Sequence, residues 1–214
     1  MKITIIYDNR VWKKGLEPDW GFSCLVEAHS KKILFDTGNH GNILMENMHK
    51  LDIDPVSVDE VFISHSHYDH AGGLNDFLGA KKCKAYIPLS CPEPIGAEEV
   101  IKVKDPLEIH DHLFSTGELK GIEQSLLIQT GQSVVVVAGC SHPGVGEILK
   151  AAAAYGKVKA LVGGLHGFKD FALLKDLDMI CPTHCTQFIE EIRDQYPQKY
   201  LEGGAGRVIE IPDI

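Results

Sequence analysis

The sequence predicts an α+β protein in which two β-sheets pack face to face with helices on their outer sides. Three observations carry that prediction. Short apolar, β-branched runs bounded by Gly, Asn, Asp or Pro recur along the chain, as strands do. The early runs follow one another mostly as hairpins, whereas the later ones alternate with helical patterns, which fits two sheets better than one parallel sheet. The chain of 214 residues, 44% hydrophobic and 24% charged, is long and apolar enough to bury a sizeable core.

The predicted strands are Ile3–Tyr7, Phe22–Ala28, Lys32–Phe35, Glu60–Ser64, Ala85–Pro88, Ser125–Thr130, Ser133–Ala138, Ala160–Val162 and Met179–Cys181. Helices are predicted at Asn42–Lys50, Gly73–Leu78, Gly144–Tyr155, Phe171–Leu177 and Thr186–Gln195. The clearest is Gly144–Tyr155, where Val145, Ile148, Leu149 and Ala152 repeat at about 3.6 residues and Gly156 ends the run. No linker, repeat or low-complexity tract interrupts the chain, so residues 1–214 are read as one domain.

Composition narrows the function classes. A formal net charge of −9 argues against a nucleic-acid partner, while leaving room for a local basic pocket that takes a small anion. Met1 opens directly into Lys2–Tyr7 without a signal-peptide pattern, and no apolar stretch approaches the roughly 20 residues of a membrane helix. The expectation is a cytoplasmic protein with no membrane partner that acts on a small molecule. The cysteines Cys24, Cys83, Cys91, Cys140, Cys181 and Cys185 form no C-x-x-C pair and are expected to be mostly reduced.

The chemistry concentrates in Ser64-His65-Ser66-His67-Tyr68-Asp69-His70, which follows the apolar run Val61–Ile63 and opens a helix. His65 and His67, two residues apart, point the same way while the backbone is extended. Asp69 and His70 then come from the turn, where they can face a second ion. Three imidazoles and one carboxylate packed this closely suit Zn²⁺ or another borderline divalent cation. His29, His40, His49, His110 and His112 have no such setting, and Glu108 and Asp111 mark His110-x-His112 as a solvated loop or strand edge.

This H-x-H-x-D-H run after a strand resembles the signature of the metallo-β-lactamase superfamily. Phe35-Asp36-Thr37-Gly38 is similar to its D-x-G element, and His184 to the late histidine that closes the second metal site. The resemblance implies an αββα sandwich of two mixed sheets with two divalent metal ions at the sheet edges, zinc foremost and manganese or iron as alternatives. Thr116-Gly117-Glu118-Leu119, Glu123-Gln124, Gly139-Cys140-Ser141-His142-Pro143-Gly144, Gly163-Gly164-Leu165-His166 and His184-Cys185-Thr186 occur in that order. That series resembles a branch named for dihydropterin–ribofuranosylaminobenzene phosphate synthase, which also holds many uncharacterised hydrolases.

The chain departs from the superfamily pattern at two places. Thr116-Gly117-Glu118 stands where typical members carry a histidine, and Cys140-Ser141-His142 stands where they carry a bridging Asp. His142 is therefore expected to supply the missing ligand, with Cys140 next. Cys140 is either a bridging thiolate or a small residue packed at a tight turn. By the same resemblance Asp36 orients a metal-bound histidine rather than binding metal, and Glu118 is a further candidate beside the metals. His166, between glycines that allow close backbone approach, is either a substrate contact or a structural histidine.

The implied reaction is hydrolysis by a hydroxide that two metals activate, with Asp69 orienting it and collecting its proton. Phosphate esters and activated acyl or cyclic compounds are the substrate classes. A pterin-type synthase or transferase, an iron-based oxidoreductase on the same frame, and a non-catalytic metal-binding protein are the alternatives. G-x-G-x-x-G is absent, so a dinucleotide cofactor has no support. Trp12, Trp20 and Phe22 near the first long loop either stack on a flat heterocycle or pack over that loop.

Overall fold

The computed structural model describes residues 1–212. Its first half runs β1 (Lys2–Tyr7), β2 (Ser23–Ala28), β3 (Lys31–Phe35), α1 (Gly41–Lys50), β4 (Glu60–Phe62), α2 (Tyr68–Ala71), α3 (Leu74–Ala80), β5 (Lys84–Pro88) and β6 (Glu99–Val103). The second half runs β7 (Leu107–His110), β8 (Leu113–Ser115), β9 (Leu126–Thr130), β10 (Ser133–Ala138), α4 (Val145–Ala152), β11 (Lys157–Gly164), β12 (Met179–Thr183), α5 (Ile189–Gln195) and β13 (Val208–Glu210).

Seven strands form one sheet in the order β13-β1-β2-β3-β4-β5-β6, and six form the other in the order β12-β11-β10-β9-β8-β7. Both sheets are mixed. β13 to β3 and β7 to β10 pair antiparallel, with tight hairpins at β2–β3, β7–β8 and β9–β10. β3 to β6 and β10 to β12 pair parallel, which requires crossovers. α1 lies between β3 and β4, α3 between β4 and β5, and α4 between β10 and β11.

Side-chain alternation sends one face of each sheet inward. Ile3, Ile5, Phe22, Phe35 and Phe62 meet Ile128, Val135, Val137 and Val162 between the sheets. On the outer face of the first sheet, Leu34 and Val61 pack with Leu44, Met48 and Phe77 of α1 and α3. On the outer face of the second, Val134, Val136 and Leu161 pack with Val145 and Ile148 of α4. Strands covered on both faces read as continuous apolar runs, which explains SVVVVA in β10. The αββα sandwich expected from the sequence is the fold.

The structure adds and corrects elements. β6, β7, β8 and β13 were not predicted: β6 and β7 are edge strands of mostly intermediate burial, and β8 and β13 span three residues each. The helix predicted at Phe171–Leu177 is a single 3₁₀ turn, Phe171–Leu174. α5 begins at Ile189 rather than Thr186, because the Thr186 hydroxyl instead donates to Thr183 O and accepts from Leu165 N–H. Phe22 is core, its ring 6.2 Å from that of Phe35, and not a loop aromatic. His110 sits on edge strand β7 and bonds Glu60 Oε2 at 2.7 Å. No helix among the described residues is long and apolar enough to cross a membrane.

The parallel strands place the chemistry. Asp36 follows β3, the His65–His70 run follows β4, Cys140–His142 follow β10, His166 follows β11 and His184 follows β12. Asp8 and Asn9 follow β1, which runs parallel to β3. The carboxyl ends of parallel strands collect ligands in α/β sheets, and here both sheets contribute to one edge.

Candidate metal centre

The donors gather in two groups that share one atom. Asp69, His70, Cys140 and His184 form one group, and His65, Cys140 and His142 the other; within each, the ligand atoms lie within 4.8 Å of one another. His67 adjoins the second group, its Nδ1 3.1 Å from His142 Nε2. The structure thus brings His65, His67, His70, His142 and His184 together with Asp69 and Cys140. Cys140 Sγ lies 3.1 Å from His70 Nε2.

Three of these imidazoles, those of His70, His65 and His184, are held from behind. His70 Nδ1–H donates to Asp36 Oδ2 at 2.6 Å, and His65 Nδ1 meets the Ser64 hydroxyl at 2.9 Å. Ser64 in turn donates its hydroxyl to Asp36 Oδ2 at 2.7 Å and its backbone N–H to Oδ1 at 2.7 Å. One buried carboxylate therefore orients two histidines, directly and through Ser64. His184 Nδ1 meets Asn9 Oδ1 at 2.9 Å, leaving Nε2 to face Asp69 Oδ2 at 3.0 Å. Asp8 Oδ2 accepts the His184 backbone N–H at 3.2 Å.

Burial sets the charges. Desolvation, reinforced by neighbouring histidines, pushes His65 and His70 well below the usual imidazole range and His142 down to about 4. Neutral imidazoles with free lone pairs are the form that metals take. Burial raises the carboxyl groups of Asp36, of Asp8 to about 6 and of Glu123 to about 7. The hydrogen bond with Cys185 and burial push the Cys140 thiol up, a direction that adjacent cations would reverse.

The donor set fits divalent cations. His65 Nε2 is buried and has no hydrogen-bond partner, although its ring is fixed by Ser64. A buried nitrogen left bare costs about 1–3 kcal/mol, and an ion within reach of His142 and Cys140 would satisfy it. Backbone strain collects here as well: Asp36, Ser141, His166 and His184 all occupy positive φ, between 43° and 60°.

Other candidates fall at different distances from the centre. His166 is exposed, with its ring 5.0 Å from that of His142. Trp20 is exposed and stands edge-on to His184 at 4.9 Å, whereas Trp12 stacks under Arg207 at 4.1 Å. Glu118 is not brought to the donors: its Oε1 accepts from Ser90 N–H at 3.0 Å. The chain folds back between Leu119 and Glu123, so Glu118 faces the Ser90 loop and Glu123 faces inward. Sequence reasoning did not assign Asp8, Asn9, Ser64 or Glu123. A buried Glu-Gln pair beside a strand was the one local signal for any of them.

Comparison with known proteins agrees with this geometry. The metallo-β-lactamase superfamily pattern matches residues 18–108. The chain is 26% identical to the 7,8-dihydropterin-6-methyl-4-(beta-D-ribofuranosyl)-aminobenzene-5'-phosphate synthase of Methanocaldococcus jannaschii, across 95% of this chain and 92% of that one. It is 27% identical to an uncharacterised protein of the same organism, across 98% and 100%. A crystal structure of a metal-dependent hydrolase of the β-lactamase superfamily matches with a TM-score of 0.82 and 25% identity over 100% of both chains. The motif, the two-sheet fold and the likeness along the full length converge: residues 18–108 carry the metallo-β-lactamase superfamily pattern, and the chain has the fold of that superfamily.

Proposed function

We propose that the protein is a hydrolase that uses two divalent metal ions, zinc foremost, on a small phosphate ester or an activated acyl or cyclic compound. The observation that carries the reading is the position of Cys140, whose Sγ is common to both donor groups. His65, His67 and His142 would hold one ion, Asp69, His70 and His184 the other, with Cys140 between them. Ions so held would supply Lewis acidity and would lower the pKa of bound water from about 15.7 towards 7. Asp69, its side chain 19% exposed and bonded to His184, would orient an attacking water and take its proton. His166 and Trp20 stand exposed beside His142 and His184, where a substrate's polar group and flat ring would enter.

A second reading is a bond-forming synthase of pterin type, supported by the likeness to the M. jannaschii synthase along nearly the whole chain. One experiment separates the readings. Metal content is measured on purified protein, and turnover is assayed on aryl phosphate mono- and diesters, thioesters and lactones. Chelator-sensitive hydrolysis, restored by zinc or manganese, is the expected result. Condensation of a dihydropterin with a ribofuranosylaminobenzene phosphate, without hydrolysis of the panel, would favour the synthase. Stoichiometric iron with redox turnover would replace both readings with an oxidoreductase. Full occupancy without any turnover would make the protein a metal-binding one.

A further inference from the structure

Glu123 is fully buried yet contributes no atom to either donor group. Its carboxylate gathers the turn that follows β10. Oε1 accepts the backbone N–H of Gly139 at 3.0 Å, of Cys140 at 3.2 Å and of Ser141 at 3.0 Å. Oε2 accepts that of His142 at 2.9 Å. Four successive amides converging on one anion form a backbone nest, filled here by the chain's own side chain.

The turn is clamped on its other sides as well. A Cβ on Gly139 would overlap the Ser64 hydroxyl, so the turn lies directly against the group that fixes His65. Ser141, held at φ 60°, donates its hydroxyl to Gly164 O at 2.7 Å and so ties the turn to β11. Both side chains that this turn sends into the centre, Cys140 and His142, hang from amides that Glu123 fixes.

We propose that Glu123 is a positioning residue of the metal centre, which sets the Gly139–His142 turn so that Cys140 Sγ and His142 face the ions. The proposal rests on the two-ion reading above. The two oxygens divide the work: Oε1 holds three amides and Oε2 holds His142 alone. In Glu123→Gln the amide oxygen keeps three N–H partners, while the new NH₂ group confronts the His142 N–H donor to donor. The substitution therefore releases His142 and spares Cys140.

The test is a Co²⁺ titration of the metal-stripped full chain, followed by visible absorption and elemental analysis. Wild type is expected to take two ions. Glu123→Gln should bind one ion as wild type does and the other about 10–100-fold more weakly, the usual effect of losing an outer-sphere partner. His142→Ala should weaken the same ion, and thiolate-to-cobalt absorption should persist in both variants. Wild-type titration of Glu123→Gln would overturn the proposal. Equal weakening of both ions, with a lower melting temperature of the metal-stripped protein, would also overturn it and leave Glu123 a fold residue only. Should Glu123→Gln not fold, Glu123→Asp, which keeps the charge on a shorter arm, is read by the same outcomes. Wild-type protein that takes no Co²⁺ would overturn the two-ion reading itself and this proposal with it.

Discussion

His70 and Asp36, both fully buried, meet at 2.6 Å, and the Ser64 hydroxyl reaches the same carboxylate oxygen at 2.7 Å. Two histidines of opposite donor groups thus depend on one acid. Asp36→Asn is expected to lower the affinity for both ions by about 10–100-fold, since the amide cannot accept from both His70 and Ser64 through one oxygen and still face the Ser64 amide with the other. Competition with a chelator of known affinity measures it. Unchanged affinity would show that the relay orients nothing.

Asp69→Asn should leave the fold intact and abolish turnover. The side chain is 19% exposed, so the change disturbs little packing, but it removes the charge that faces His184 at 3.0 Å and His70 at 3.7 Å. A loss of several orders of magnitude in kcat follows if the carboxylate acts on the attacking water. Near-normal kcat with normal metal content would end that assignment.

Cys140 and the two groups predict different stoichiometries. His67→Ala should lose the ion on the His65 and His142 side, and His184→Ala the ion on the Asp69 and His70 side. Cys140→Ser should weaken both, because its Sγ belongs to both groups. Elemental analysis after dialysis reads all three, and two ions retained in every variant would sink the ligand set.

The rings of Phe35 and Phe62 stack 5.5 Å apart at 16°, on adjacent strands that end at the metal edge. Phe62→Ala opens a cavity between the sheets and should cost about 3–5 kcal/mol of stability. Denaturant unfolding of the metal-stripped protein gives the value, and a loss below 1 kcal/mol would mean that the core collapses around the gap, as cavities only partly do.

What was legible in the sequence was what is local. His65, His67, Asp69 and His70 share one strand-to-helix turn, so their spacing alone carries their geometry. Asn9 meets His184 across 175 positions, and Glu123 reaches amides 16 to 19 positions away. Such pairs are fixed by sheet register, which no window of sequence contains. Glu118 attracted attention because a histidine stands there in relatives, yet the fold-back at Leu119–Glu123 exchanges it for Glu123. β13 escaped notice because only Ile209 of its three residues is buried, and β6 because an edge strand needs little apolar pattern.

The pairing of β1 with β13 sets a timetable for biosynthesis. Ile3 lies opposite Ile209, and the far end of β1 delivers Asp8 and Asn9 to His184. In order of synthesis β1 precedes β13 by about 200 residues, so one edge of its backbone stays unpaired until position 210 is made. At 5–20 residues per second that wait is on the order of 10–40 s. During it a run of Ile3, Ile5 and Ile6 offers an open edge to any passing strand, the situation that chaperones guard. The candidate donor group closes equally late, because it lacks a wall before His184 leaves the exit tunnel.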